Sequence, residues 1–407
     1  MEFLFAIPFV LILFCIAIFP LAVPHFWESN RNKVMVIVFL ATPVLAWLMF
    51  HEPSALMHSL EEYLSFIILL GSLFTISGGI AITGDLQGTP RINTLFLAIG
   101  AVLANLIGTT GASMVLIRAF VKTNSERRQI QHLPVFFIFI VANCGGLLTP
   151  LGDPPLFLGF LRGVPFFWTL KLFPMWLAMN GALLVIFYFW DLWAYRHETK
   201  QALRLDVQQI KALRYFGLHN LAFLAGVIGA VFFPTPWREI LMLLMAFVSF
   251  RSTRSKRAQK INHFTWHPIA EVAILFFGIF VTMIPALQLL KAHAPALGLH
   301  EPWHFFWSTG LLSGFLDNAP TYLTFLSVAQ GLRFSGEIVG IPQLLLVAIS
   351  LGAVFMGALT YIGNGPNFMI KAICEHAKFP TPSFVKYMGY SVGILIPLFL
   401  GLTWLFF

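Results

Sequence analysis

The chain has 407 residues, of which 58% are hydrophobic and only 10% are charged, and its mean hydropathy is +0.83. So many apolar side chains, 44 of them Phe, exceed what one soluble core can bury, which excludes an ordinary soluble domain and predicts a polytopic membrane protein. The net charge of +8 does not indicate a nucleic-acid partner, because the basic residues gather in short segments between apolar runs.

Apolar runs near the ~20 residues that cross a bilayer predict transmembrane helices. They lie at 3–23, 34–50, 63–83, 133–161, 165–190, 215–233, 238–250, 267–290, 338–370 and 386–407. Two further stretches, 91–121 and 303–333, are interrupted at their centres by Gly, Asp, Asn, Pro and Thr. Since arms of ~15 residues reach only part of the way through a membrane, each stretch is predicted to be a re-entrant hairpin of two short helices.

Lys and Arg predict the orientation in the membrane. They concentrate in segments 24–33, 122–132, 191–214, 251–262 and 371–386, which the positive-inside rule assigns to the cytoplasm. Segment 51–62 has three Glu and no Lys or Arg, which suits the opposite side. If neither hairpin crosses the membrane, counting the crossings along the chain places every basic segment inside and both termini outside. We therefore expect a multi-pass protein of the cell's inner (plasma) membrane.

The order of elements is repeated with opposite orientation. Span 63–83, hairpin 91–121, broken helix 133–161 and span 165–190 form one repeat, and the corresponding elements of 267–407 form the other. The predicted domains are 1–62 (scaffold helices), 63–190 (first inverted repeat), 191–266 (basic loop and connecting helices) and 267–407 (second inverted repeat). The predicted fold is an all-α integral membrane protein with about 10 transmembrane helices, two re-entrant hairpins and two broken helices.

The hairpin tips and helix breaks predict one site. Their backbone groups cannot be satisfied by hydrocarbon, so the four points are expected to meet around a cavity near the membrane midplane. The side chains there carry oxygen atoms that suit a hard cation such as sodium. Those chosen as ion or substrate ligands are Thr109, Thr110, Asn143, Thr149, Asp153, Asp317, Asn318, Thr321, Thr360, Asn364 and Asn367.

Two of these residues are acidic, Asp153 and Asp317. A carboxylate inside a membrane is costly unless it is paired, coordinated or protonated, and one that holds either a proton or a cation suits an ion-for-proton exchanger. The simpler alternative for each is a helix cap beside proline. Asp153 is the stronger proton-coupling candidate because its counterpart in the second repeat is the neutral Asn364, and Asp317 could share the titration.

Three motifs carry a family resemblance. They are Asn143-Cys144-Gly145-Gly146 through Thr149-Pro150-Leu151-Gly152-Asp153-Pro154-Pro155, Leu316-Asp317-Asn318-Ala319-Pro320-Thr321, and Gly363-Asn364-Gly365-Pro366-Asn367. In this order they resemble the ion transporter superfamily, which includes NhaD-type sodium/proton antiporters, ArsB-type arsenite efflux proteins, citrate-metal carriers and divalent-anion/sodium symporters. The resemblance implies transported Na+ and H+ without a resident cofactor or metal, a homodimer, and a moving transport domain on a fixed scaffold.

Differences between this chain and the family pattern allow the candidate substrates to be ranked. Dicarboxylate symporters usually have Ser-Asn-Thr at both hairpin tips, whereas this chain has Thr109-Thr110-Gly111 and Asp317-Asn318-Ala319. An added Asp disfavours a multiply charged anion, so sodium/proton antiport ranks above a citrate or other organic-acid carrier. Arsenite efflux ranks lower, because Cys144 stands alone. An intramembrane aspartyl hydrolase is the distant alternative from another class, since such enzymes also use membrane aspartates.

Overall fold

The structure is a computed structural model that describes residues 2–334 and 336–407. Its α-helices are α1 (Glu2–Ala22), α2 (Pro24–Trp27), α3 (Asn30–His51), α4 (Pro53–Gly78), α5 (Pro90–Thr123), α6 (His132–Ile140), α7 (Pro154–Leu161), α8 (Phe173–Arg196), α9 (Lys200–Gln208), α10 (Asn220–Ala230), α11 (Trp237–Arg251), α12 (Thr253–Ile261), α13 (His267–His293), α14 (Pro302–Phe315), α15 (Asn318–Gly331), α16 (Gln343–Met356), α17 (Gly365–His376) and α18 (Phe384–Phe406). Short 3-10 helices lie at Cys144–Leu147, Phe166–Leu172, Ala294–Leu297 and Gly357–Leu359, and two strands, β1 (Ala81–Asp85) and β2 (Lys211–Phe216), pair antiparallel.

The prediction of an all-α membrane protein is confirmed. Among the described residues, seven helices are long and apolar enough to cross a membrane. One of the seven, α5, folds back on itself, and the broken pairs α6–α7 and α16–α17 remain predicted to make two further crossings. Helices α10 and α11 rise only ~17 and ~22 Å, less than the ~30 Å of a hydrocarbon core. They pack against each other as a short helical pair.

Both predicted hairpins are present. In α5 the backbone turns at Gly108, whose φ of 76° favours glycine, and the two arms lie side by side. The carboxamides of Asn93 and Asn124 exchange hydrogen bonds of 2.8 Å at the base, although a straight helix would separate them by ~46 Å. In the second hairpin α14 and α15 meet at Asp317, and the rings of Phe305 and Phe325 are 6.5 Å apart between the arms.

Both predicted helix breaks are present as well, and they have the same internal geometry. In the first, Gly152 packs on the carbonyl of Gly146, and in the second Gly363 packs on the carbonyl of Gly357. A side chain at Gly152 or Gly363 would overlap that oxygen atom. Prolines in the first turns of α7 and α17 then restart the helix at a position where no backbone donor is needed.

Several predicted boundaries are wrong. The span at 63–83 is displaced: α4 begins at Pro53 and ends at Gly78, and residues 81–85 form β1 instead. The run at 215–233 contains the end of β2 and the shorter helix α10. Segments 191–214 and 251–262 are not simple loops, because they contain α9, β2 and α12. These segments are polar, so the sequence favoured loops there, whereas they contain short elements that pack on the ends of the membrane helices.

Contacts between distant parts of the chain divide the helix ends into two groups. At one end Lys33 pairs with Glu271 at 2.7 Å, and Lys386 donates to Gln131. The other end has contacts between Gln288 and Glu52, Lys171 and Gln343, and Trp307 and Thr403. Each of these contacts joins ends that the crossing count placed on the same side. A hairpin that crossed the membrane would have broken this grouping.

The helices form two bundles that place the site between the repeats. Helices α1, α3, α4, α10, α11 and α13 pack on one another, and the hairpins pack with the broken helices, α8 and α18. The two bundles also pack together where α13 contacts α15 and α4 contacts α5. The repeats interlock within the second bundle, because α15 packs on α7 and α17 packs on α5. Each hairpin therefore contacts a half-helix of the other repeat.

Candidate transport site

Asp153 is the centre of a polar cluster inside the second bundle, with 1% of its surface exposed. One carboxylate oxygen accepts hydrogen bonds from the Thr109 hydroxyl at 3.0 Å and from the Asn364 amide at 3.3 Å. The other accepts from the Asn318 amide at 2.9 Å. These four residues come from the two hairpin tips and the two breaks, so the structure brings all four points together.

Three buried asparagines extend the cluster toward the second break. The Asn364 amide donates to the side-chain oxygen of Asn143 at 3.1 Å, and the Asn143 amide donates to that of Asn367 at 2.7 Å. Asn367 donates in turn to the backbone oxygens of Gly357 and Thr360, each at 2.9 Å. The Asn367 side chain therefore satisfies two backbone carbonyls of the second break, as a buried break requires.

Thr149 and Thr360 hold each break against the hairpin of its own repeat. The Thr149 hydroxyl donates to the backbone oxygen of Asn105, and the Thr360 hydroxyl donates to that of Gly314 at 2.6 Å. Leu148 adds a backbone donor to the Asn105 side chain at 2.7 Å. Neither threonine is hydrogen-bonded to Asp153 in the described residues, and the part of both in ion or substrate binding stays a prediction.

Three further predicted ligands lie outside the cluster. Asp317 is the N-cap of α15 and accepts from the backbone N–H of Ala319 at 3.1 Å. Thr321 donates back to the carbonyl of Asp317 at 2.9 Å, which is a bond within the helix. Thr110 is half-buried, next to Thr109. The cluster thus contains Thr109, Asn143, Asp153, Asn318, Asn364 and Asn367, and their part in ion or substrate binding stays a prediction.

Four helix N-termini surround the Asp153 carboxylate. Asp153 and Asn364 are the N-caps of α7 and α17, Asn318 is the first residue of α15, and Thr109 begins the second arm of α5. The positive ends of helix dipoles stabilise negative charge, so this arrangement favours an ionised carboxylate or a bound anion. Within the described part of the chain, no Lys, Arg or His side chain is bonded to Asp153.

Sequence reasoning missed Ser313 as a positioning residue. Its hydroxyl lies 2.7 Å from the side-chain oxygen of Asn318 and 2.7 Å from the carbonyl of Ala353. Holding the oxygen of Asn318 turns its amide group toward Asp153. The only signal in the sequence is a serine one turn before the hairpin tip, in an otherwise apolar helix.

Two buried charge clusters were also missed, because their members were assigned to loops. Arg127 contacts Asp191 at 2.6 Å and His132 contacts the same oxygen at 2.9 Å, at the base of the first hairpin. Arg162, at the end of α7, makes a two-pronged contact with Glu62 of α4 at 3.1 and 3.2 Å. Among the described residues no group of three or more His, Cys, Asp or Glu is arranged to hold a metal ion.

The whole chain matches a known family. A family model described as "Putative citrate transport" matches residues 1–407. The chain belongs to this family. The match agrees with the resemblance to the ion transporter superfamily and supports a secondary transporter. No individual curated protein matches the chain.

Proposed function

We propose that this protein is a secondary active transporter that exchanges sodium for protons at Asp153. The observation that carries the proposal is one buried carboxylate held by neutral side chains from both repeats, with no basic side chain bonded to it in the described residues. An anion carrier needs positive side chains or cations to balance a multiply charged substrate, and a single carboxylate adds repulsion instead.

The exchange follows from competition for one carboxylate. In the closed cluster Thr109, Asn318 and Asn364 donate hydrogen bonds to Asp153. Each of these side chains also carries an oxygen atom, so rotation of the hydroxyl and carboxamides presents oxygen ligands to a sodium ion beside the carboxylate. A proton on Asp153 removes the charge that attracts sodium, and sodium disfavours the proton. The cation and the proton therefore occupy the site alternately.

Citrate or another organic acid is the second candidate. The family description favours it, and so do the four helix N-termini that converge on the cluster. In this alternative a protonated Asp153 leaves Thr109 and Asn318 free to donate to a substrate carboxylate. Arsenite efflux ranks below both, because Cys144 is fully buried and forms no pair with a second cysteine in the described structure.

A catalytic function is disfavoured by the placement of the two aspartates. An aspartyl hydrolase needs two carboxylates that share a proton. In the described structure Asp153 bonds to Thr109, Asn318 and Asn364, whereas Asp317 caps a helix. A carrier needs no such pair.

The deciding experiment compares sodium, lithium, citrate and arsenite in proteoliposomes with an imposed pH gradient. We expect sodium or lithium to dissipate the gradient and Asp153→Asn to abolish this exchange. Asp317→Asn tests whether Asp317 shares the titration. Because asparagine caps a helix as well as aspartate does and Asp317 lies outside the cluster, we expect this variant to retain exchange. Citrate uptake without cation-for-proton exchange would show that the organic-acid alternative is correct.

A further inference from the structure

A layer of short elements lies at one end of the bundles, and we call α9, β1, β2 and α12 the basic layer. Helix α12 follows the apolar helix α11 after the single residue Ser252 and precedes α13 by five residues. It also packs on the end of α4 and on both strands. Since α4 and α11 end here and α13 begins here, we expect the layer to lie near the depth of the lipid headgroups.

Polar contacts fix α12 with one face inward. Ser255 and Asn262 are buried on that face, and the Asn262 amide donates to the carbonyls of Gly78 and Ile80 at 3.1 and 2.6 Å. Ser255 accepts from Asn220, which also donates to the carbonyl of Gly79 at 2.7 Å. The opposite face, with Arg254, Lys256, Arg257 and Lys260, is therefore held outward.

The exposed charge of this layer and its flanks is positive. Ten basic residues are exposed: Arg196, Lys200, Arg204, Lys211, Arg214, Arg251, Arg254, Lys256, Arg257 and Lys260. Acidic residues of the same segments are hydrogen-bonded to the backbone of the protein. Glu198 accepts from the N–H groups of Arg128 and Gln129, and Asp206 accepts from that of Gly88. Within the described residues, none of the ten forms an ion pair.

Apolar side chains are exposed among these charges. Leu205, Val207, Ile210 and Tyr215 are each 40–53% exposed on α9, β2 and the link between them. Trp266, just before α13, is 47% exposed, which is typical of an interfacial anchor. Basic residues beside apolar ones, next to the ends of membrane helices, match an anionic phospholipid surface in both charge and polarity.

We propose that the basic layer binds anionic phospholipid headgroups. The positive-inside rule alone requires only that these charges stay in the cytoplasm, and it predicts no preference among lipids once the protein is inserted. A bound headgroup would neutralise the unpaired side chains of α12. Through β1 and the Gly88–Asp206 bond it would also stabilise the base of the first hairpin.

The test measures lipid retained by the full chain after purification from micelles with equal amounts of phosphatidylglycerol and phosphatidylcholine. We expect phosphatidylglycerol to be enriched about five-fold or more, and the enrichment to fall toward one in 0.5 M salt, which screens the charges. The triple variant Lys256→Gln, Arg257→Gln, Lys260→Gln should lose most of the enrichment. The control triple Lys291→Gln, Arg333→Gln, Lys378→Gln removes three exposed charges elsewhere and should retain it.

Three results would overturn the proposal. The first is equal retention of both lipids by the unmodified protein, and the second is full enrichment of phosphatidylglycerol in the α12 variant. The third is complete displacement of the lipid by glycerol phosphate at the same concentration, which would indicate a site for a soluble anion. The salt series needs no substitution, so it remains decisive if the α12 variant does not fold. None of these readouts depends on the transported substrate.

Discussion

At the scale of single residues, the site is symmetric in shape but not in charge. Asp153 and Asn364 occupy matching positions before α7 and α17, and their side chains touch across the two breaks at 3.3 Å. Thr109 and Asn318 hold matching positions at the hairpin tips, and both donate to the same carboxylate. Both residues of each matching pair thus contribute to a cluster that has a single ionisable group.

The hydroxyl of Thr109 allows a sharp test of this arrangement. Thr109→Val keeps the shape but removes the donor to Asp153, and a hydrogen bond to a charged group contributes about 1.5–3 kcal/mol. We therefore expect kcat/KM for cation exchange to fall about ten-fold or more. Thr110→Val, at the neighbouring half-buried threonine outside the cluster, should change it by less than about two-fold. Equal losses in both variants would mean that the Thr109 bond is not used in transport.

At the scale of elements, the breaks depend on glycines whose surroundings differ sharply. Gly152 lies against the carbonyl of Gly146, whereas Gly365, at the start of α17, has no atom near the position of a Cβ. We expect Gly152→Ala to displace the first break, reduce exchange strongly and lower the melting temperature. Gly365→Ala should leave both near their original values. The measurements are thermal unfolding in detergent and exchange in proteoliposomes, and normal behaviour of Gly152→Ala would contradict the packing described for the first break.

At the scale of the whole molecule, the two bundles are joined by an ion pair near one end. Arg162 lies at the end of α7, the half-helix that begins after Asp153, and Glu62 lies on α4 of the other bundle. If one bundle moves past the other, this ion pair either breaks or its two side chains move together. The pair links the half-helix that follows Asp153 to α4, in addition to the packing of α4 on α5 and of α13 on α15, which also joins the two bundles.

A double-mutant cycle measures how much this pair stabilises the protein. Glu62→Gln and Arg162→Gln should each lower the melting temperature, because each leaves a largely buried partner uncompensated, and the double variant should lose less than the sum. The control cycle uses Lys371 and Glu375, which form a more exposed pair within one helix and should give little coupling. Strict additivity for Glu62 and Arg162 would show that the pair contributes nothing.

Orientation is also a property of the whole molecule. We expect both termini outside, with segments 191–214 and 251–262 in the cytoplasm. Alkaline phosphatase fused after Phe407 should be active and a fluorescent protein there should be dark, while the same reporters inserted at 208–210 should behave in the opposite way. The reverse pattern would place both termini in the cytoplasm. The contacts that join helix ends on the same side would be unaffected. The homodimer remains a prediction.

The sequence by itself determined the class, the repeats and the four interruptions. Hydropathy needs only composition over ~20 residues, and Gly, Pro and Asp in apolar surroundings mark breaks wherever they fold. The sequence ranked Asp153 above Asp317 because of its neutral counterpart Asn364. Only the tertiary structure placed Asp153 at the centre of a polar cluster and Asp317 at the start of α15, because the local sequence does not say what packs beside a carboxylate. The tertiary structure also decided the pairs Glu62–Arg162 and Arg127–Asp191, whose members lie 100 and 64 residues apart. Local patterns carry no information on such distant contacts, since they form only when the helices pack.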